Sequence, residues 1–381
     1  MPVAKSSQNP FYVKLAMVLV CLIALVYIAI LGKKILSPLL FSLLFSILLL
    51  PIANFLERKL KLPRSAASIL SVLLLVSGIG FVLYIVISQL TNLADDWPMF
   101  KTQLTASINN LQDWIATTFH VNIEKQKTYV NNAASNMLAT GTTVIGETVV
   151  SVSSVLLFLV FSMIDTFFLL FYRRLILKFL LAVFKEENSV IVHDIIQKVQ
   201  SIIRKYILGL LFEMVIVATV CCIAFWIMGI KYAILLGLIT GLFNVIPYIG
   251  ILTALVISTV ITFATAAAAS KVLLVIIIIV VTHLLDSNLL FPMIVGFQVR
   301  INALVTVLGA VIGEMLWGIP GMFLAIPVIA IFKIIFDRIE SLKPWGILLG
   351  DEKDEKQPAP LTITADTGRQ EVQDALVKDS S

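Results

Sequence analysis

Two stretches decide how this chain is read. The first is Gly237-Leu238-Ile239-Thr240-Gly241, running on to Asn244-Val245-Ile246-Pro247-Tyr248-Ile249-Gly250. The second is Gly309-Ala310-Val311-Ile312-Gly313, running on to Trp317-Gly318-Ile319-Pro320-Gly321. Each lies within an apolar run of more than about 30 residues, which as one straight helix would overshoot a hydrocarbon core of about 30 Å. Each carries a Gly-x-x-x-Gly and then an Ile-Pro beside glycine, and one inserted residue aligns the two. A proline inside a helix removes a backbone hydrogen bond and crowds the preceding turn. In lipid such a break survives only where protein or a water-filled cavity satisfies the freed groups. Paired interruptions at matching positions are what a transporter's substrate site looks like in sequence. Either segment could be a kinked span or a re-entrant hairpin. The glycines favour the hairpin, because they permit a tight turn.

Hydrophobic residues make up 59% of the chain and charged residues 13%. Soluble domains carry about 25% charged residues, so the chain reads as an all-α integral membrane protein of about eight membrane segments. The net charge of +5 is no sign of nucleic acid, because the Lys and Arg residues sit in short loops between apolar runs, where they orient the chain. Cys21, Cys221 and Cys222 all fall inside apolar runs and suggest neither a disulfide framework nor a zinc spacing.

Residues 1–11 form a polar tail. Residues 12–31, 36–53 and 66–90 are three spans within a first membrane part, 12–90. Pro38 and Pro51 are placed at the two ends of the second span, and Lys33 and Lys34 in a short turn before it. Residues 91–147 are acidic and polar, with Leu104, Ile108, Leu111 and Ile115 at helical spacing and two aromatic rings, Trp97 and Trp114. They read as a small helical extracytoplasmic insert. Residues 148–172 are a fourth span containing Asp165. Residues 173–206 hold the densest basic cluster and an apolar stripe, Ile191, Ile195, Val199, Ile202 and Tyr206, expected to lie at the cytoplasmic interface. Residues 207–340 form the membrane core with the two interrupted segments. Residues 351–381 are a polar tail expected to be disordered. The basic loops place both termini in the cytoplasm.

No catalytic signature is present: there is no phosphate-binding Gly-Lys loop, no G-x-S-x-G and no H-E-x-x-H. Three scattered histidines build no usual metal site, and nothing calls for a cofactor. The informative residues are ionisable groups inside the apolar runs, which are costly there and usually face a bundle interior or a water path. They are Asp165, Glu213, His283, Asp286 and Glu314. His283 and Asp286, three apart, are expected to share a face and pair. Asn244 precedes Pro247 by one turn, and Asn288 lies just ahead of Pro292. Gly237, Gly241, Gly309 and Gly313 are expected to allow close helix packing.

On these motifs the sequence resembles the autoinducer-2 exporter family of permeases. The resemblance rests on residues 237–250, on Asp286-Ser287-Asn288-Leu289-Leu290-Phe291-Pro292, and on Gly318-Ile319-Pro320-Gly321 running on to Pro327. Tyr206-Ile207-Leu208-Gly209 and the general layout agree, over roughly residues 12–340. Ile251 departs from the proline, and Glu213 from the glutamine, that many members carry. The resemblance implies a multi-pass protein of the bacterial inner membrane that exports a small polar or anionic solute such as a signalling compound. Sodium–proton antiport is the alternative it also implies, and a non-transporting envelope scaffold is a third. Partners implied are membrane lipid, the solute, a coupling proton or sodium ion, and further copies of the chain, with a pentamer as a candidate state. The expected pathway residues are Glu213, Asn244, Pro247, Gly250, Asp286, Asn288, Pro292, Gly318, Pro320 and Gly321, set between the two interrupted segments.

Overall fold

Glycine 32 divides the first two helices. Helix α1 (Phe11–Leu31) ends where the Gly32 N–H bonds the Ile28 carbonyl, and α2 (Lys33–Arg58) begins at the next residue. Lys33 and Lys34 therefore open a helix rather than fill a turn. Pro38 and Pro51 lie inside α2 instead of at the ends of a shorter span. Spanning helices tolerate internal proline because neighbouring helices and hydroxyls re-satisfy the freed groups. Ser42 and Ser46 on α2 each donate to the carbonyl three residues back. The computed structural model describes residues 10–96, 124–184, 189–246, 249–265, 269–296 and 301–351, with scattered positions between 102 and 118; for 124–153 it describes the backbone alone. The apolar stripe and the two tryptophans of the insert, and residues 352–381, lie outside the described residues.

Helix α3 (Arg64–Asp95) is followed by α4 (Glu124–Val183), a single helix of 60 residues and about 90 Å. The expected fourth span is thus only the middle of a longer rod that takes in the end of the insert and the start of the basic loop. Helix α5 (Ser189–Ile227) likewise fuses the amphipathic cytoplasmic stretch with the fifth span. No break falls between them because no proline or glycine cluster interrupts the helical pattern there.

The first interrupted segment is a helical hairpin, α6 (Ala233–Asn244) and α7 (Ile249–Thr265). At 12 residues, or about 18 Å, α6 is too short to cross a core of about 30 Å. Pro247, between the two helices, lies outside the described residues. Helix α8 (Ala269–Leu285) runs on into two π-helical turns, Asp286–Leu290 and Pro292–Gly296. The second interrupted segment is also a hairpin, α9 (Ala303–Trp317) and α10 (Ile319–Arg338), followed by the short α11 (Lys343–Leu349).

The second hairpin turns on Gly318, at φ +71°, where a side chain would be strained. Pro320 sits in the first turn of α10, where a missing N–H costs nothing. The expectation that Pro320 itself breaks the helix is therefore corrected. The glycine makes the turn, and the proline starts the next helix. Gly313 and Gly321 hold the two arms together. A Cβ on Gly313 would collide with the Gly321 carbonyl oxygen, and one on Gly321 with that of Gly313.

Helix α5 joins two packed cores. Its first half, with Ile203, Tyr206 and Leu210, packs with Leu44 and Ile47 of α2 and Leu324 and Ile326 of α10. Its second half, with Val217, Cys221 and Phe225, packs with Leu236 of α6, Ile261 of α7, and Val275 and Ile279 of α8. Glu213 stands at the junction. Among the described residues, six helices are long and apolar enough to cross a membrane: α2, α3, residues 154–183 of α4, α5, α8 with its π turns, and α10. They leave most of their apolar surface facing outward, as lipid requires. No strand occurs among the described residues. The protein is an all-α, multi-pass integral membrane protein.

Candidate functional site

Three side chains from three elements meet at the junction of the two cores. Asn244, the last residue of α6, donates from Nδ2 to Glu213 Oε1 of α5 at 3.1 Å and to Asp286 Oδ2 at 3.0 Å. Glu213 and Asp286 are 3% and 4% exposed. Glu213 Oε2 and Asp286 Oδ1 are buried with no hydrogen-bond partner among the described residues.

Local sequence explains why these groups converge. Gly237 and Gly241 let α6 lie against the backbone of α5: a Cβ on Gly241 would meet the Met214 carbonyl oxygen at 2.7 Å, and one on Gly237 would collide with Cys222 Sγ. That approach, one residue from Glu213, brings Asn244 within reach. Gly250 closes the hairpin at the same level, since its Cβ would overlap the Phe243 carbonyl oxygen. The third group opens the π turn at the end of α8. A π turn widens the helix by one residue and re-registers the residues beyond it. Asp286, at its start, keeps the register of α8 and is buried, while Asn288 within it is exposed and donates back to the Leu284 carbonyl.

The expected pairing of His283 with Asp286 is not formed. His283 Nε2 lies 3.4 Å from Ser287 Oγ, and its Nδ1 has no partner among the described residues. Each side chain takes another partner: Asp286 accepts from Asn244 of α6, and His283 lies against Ser287 one turn on. Pro292, half-buried, opens the second π turn. Gly309 faces the Ile329 side chain across the second hairpin. Gly318, Pro320 and Gly321 belong to that hairpin's turn, where Gly321 packs on Gly313 and Trp317, and the Trp317 indole donates to the Ala29 carbonyl of α1. The hydrogen-bonded cluster therefore draws on the first interrupted segment and on α8, not on the turn of the second. Glu314 is exposed on α9, and Asp165 is half-buried on α4.

Two polar clusters were not foreseen. Arg173 of α4 donates to Glu57 at 2.7 Å and to Asn54 at 3.0 Å, both on α2. At the opposite end of α5, Lys231 pairs with Asp96 at 2.7 Å, and the Tyr232 hydroxyl also donates to Asp96. Tyr232 holds φ at +63° just after Gly229 at +62°, so two left-handed residues make the α5–α6 turn. Lys271 donates to the Gly229 carbonyl from α8. The Lys231 ammonium, and then the Tyr232 hydroxyl, hold the Asp96 carboxyl below its ordinary range. The sequence signal was Lys231-Tyr232 directly after an Ile-Met-Gly-Ile stretch that ends a span. Its partner, more than a hundred residues away, had no local mark.

Chemically, the cluster offers two carboxyl groups bridged by one amide, with two oxygens left over in an apolar setting. Two like unit charges at about 4 Å repel by about 4 kcal/mol even at an effective dielectric of about 20. A proton or a cation between them offsets that cost. Among the described residues no group of three or more His, Cys, Asp or Glu could hold a metal ion. A divalent site, which takes six or more oxygens for calcium, finds too few charged donors here.

A multi-pass bundle of apolar helices with Gly-hinged hairpins and a buried carboxyl pair is an architecture that a membrane permease can use. The chain belongs to the AI-2E transporter family, whose model matches residues 19–341. It is 28% identical to the "Putative transport protein YrrI" of Bacillus subtilis over 317 residues, which is 80% of this chain and 86% of that one. A second B. subtilis protein, "Putative transport protein YueF", is 26% identical over 77% of this chain and 80% of its own length. The "Putative permease PerM" of Escherichia coli K12 is 25% identical over 54% of this chain and 58% of its own.

Proposed function

We propose that this transporter couples solute movement to a proton or a monovalent cation held between Glu213 and Asp286. The observation that carries it is the Asn244 amide bonded to both carboxyl groups while one oxygen of each stays buried and unbonded. Structural carboxylates in lipid are normally paired with a cation or with several donors, and these two share a single amide. Binding a proton or sodium ion there stabilises the closed cluster. Releasing it restores the repulsion and favours an arrangement in which α6 or α8 has moved. That is the bistable element a secondary transporter needs.

The same geometry bears on the cargo. Two carboxylates disfavour an anion at this position, so an exported anionic solute would have to pass elsewhere, and a cation or a neutral polar solute fits better. Cation–proton exchange is the simplest use of the site, and cation-driven export of a polar signalling compound is the second. Purified protein in liposomes tests both. A pH gradient, inside acid, should drive sodium-22 uptake by the parent protein and not by Asp286→Asn. Equal uptake by Asp286→Asn, with the variant folded and monodisperse, refutes the coupling role. Absence of any pH- or sodium-driven flux in the parent refutes the transport cycle built on this site.

A further inference from the structure

A second feature, independent of the carboxyl cluster, lies near the basic end of α4 and α5. These two helices scarcely touch one another. A crevice of about 410 Å³ separates them, backed by α2 and α10. Its walls are almost wholly apolar, with Leu43, Ile47, Leu177, Val199 and Ile331 among them. Arg173 and Gln200 are the polar groups on its wall whose donors remain open. Arg173 spends one Nη1–H on the Leu170 carbonyl and its Nη2 on Asn54 and Glu57, which leaves its Nε–H and a second Nη1–H. The half-buried Gln200 amide has no hydrogen bond among the described residues. Arg174, Lys178 and Lys198 are exposed nearby in the chain. Among the described residues, Glu57 is the one acid paired to this group, and Asp194 is taken by Arg338.

We propose that this crevice seats one acyl chain of an anionic phospholipid, with its phosphate at Arg173 and Gln200. The occupant is argued from charge and setting. An apolar slot in a bilayer meets lipid tails before anything else. A cavity of this size falls within the range of about 300–1,000 Å³ typical of small-molecule sites. Basic pockets between spanning helices on the cytoplasmic side select anionic headgroups, and the Lys/Arg distribution puts this end of the bundle at that side. The lipid wedges α4 against α5 where direct helix contact is sparse.

The test uses full-length protein in non-ionic detergent, analysed by native mass spectrometry with dioleoyl phosphatidylglycerol or dioleoyl phosphatidylcholine added. The parent should retain phosphatidylglycerol in preference. Arg173→Gln should lower that preference about five-fold, the effect of one basic residue near an anionic headgroup. Val199→Phe, which fills the slot, should abolish it; should that variant fail to fold, Arg173→Gln alone decides. Equal retention of the two lipids refutes the proposal. So does a preference that survives Val199→Phe, which would place the lipid on the outer surface. A lipid-free dimer in the parent that dissociates on Val199→Phe also refutes it, since a second copy would then fill the slot.

Discussion

Replacing Asn244 by leucine probes the carboxyl cluster at its bridge. Leucine nearly matches asparagine in volume and removes both donors. Hydrogen bonds to charged groups contribute about 1.5–3 kcal/mol each, and Asn244 makes two. The variant should therefore lose about 3–6 kcal/mol of stability at neutral pH, a large part of what holds a typical protein folded. The informative comparison is with Asn244→Leu/Asp286→Asn. There one carboxylate is gone and its amide replacement can donate to Glu213 across the same gap. The double variant should recover at least about 1.5 kcal/mol of the single variant's loss, a non-additivity expected only for groups in direct contact. Unfolding of detergent-solubilised protein, tracked by tryptophan fluorescence against increasing SDS fraction, supplies the four stabilities. Additive effects of the two substitutions, to within about 0.5 kcal/mol, would refute a shared network.

Other outcomes rest on single contacts. Gly241→Val should cost about 1–3 kcal/mol, because a Cβ there lies 2.7 Å from the Met214 carbonyl oxygen; Gly78→Ala, with open space around it, should be neutral or stabilising by up to about 1 kcal/mol, and the same SDS titration reads both. Gly318→Ala should destabilise the second hairpin by about 1–2 kcal/mol, since φ is +71°, whereas Pro320→Ala in the first turn of α10 should change stability by under about 1 kcal/mol. The Asp96 carboxyl is depressed by Lys231, so its contribution is complete above the ordinary carboxylate pKa and is lost as pH falls through the lower folded value. Hydrogen exchange in the α5–α6 turn should accordingly hold steady from about pH 7 down to about pH 4, once corrected for the intrinsic rate, and quicken only in stronger acid.

The sequence carried the class and the hinges plainly. Low charge density and the runs of apolar residues allowed only a membrane protein, and the glycine spacing in residues 237–241 and 309–313 raised the expectation of close helix packing. Glu213, Asn244 and Asp286 each stood out, because a polar group in an apolar run is costly wherever it lies. Their meeting was not legible. It depends on the close packing of α6 on α5, which carries Asn244 to partners 31 and 42 residues away in sequence, and no local pattern marks a contact at that separation. The length of α4 was hidden for a related reason. Apolarity fades before residue 148, yet the helix runs on from Glu124 through Asn-, Thr- and Gly-containing sequence of weak helix propensity, so a boundary drawn on hydropathy cut one helix in two. Pro320 drew the eye to the wrong residue: a proline is compatible with a helix start, and the left-handed Gly318 beside it is what reverses the chain.

The central claim is that Glu213 and Asp286 together hold one proton or one monovalent cation. Sodium-22 binding to purified, detergent-solubilised protein, measured by scintillation proximity across pH together with the protons released, tests it most directly. The account requires about one sodium ion per chain at alkaline pH, displaced as the pH falls, with proton release on sodium binding, and loss of both signals in Glu213→Gln and in Asp286→Asn. Sodium binding that is unchanged in both variants, or absence of both sodium binding and a linked proton at any pH, would contradict it.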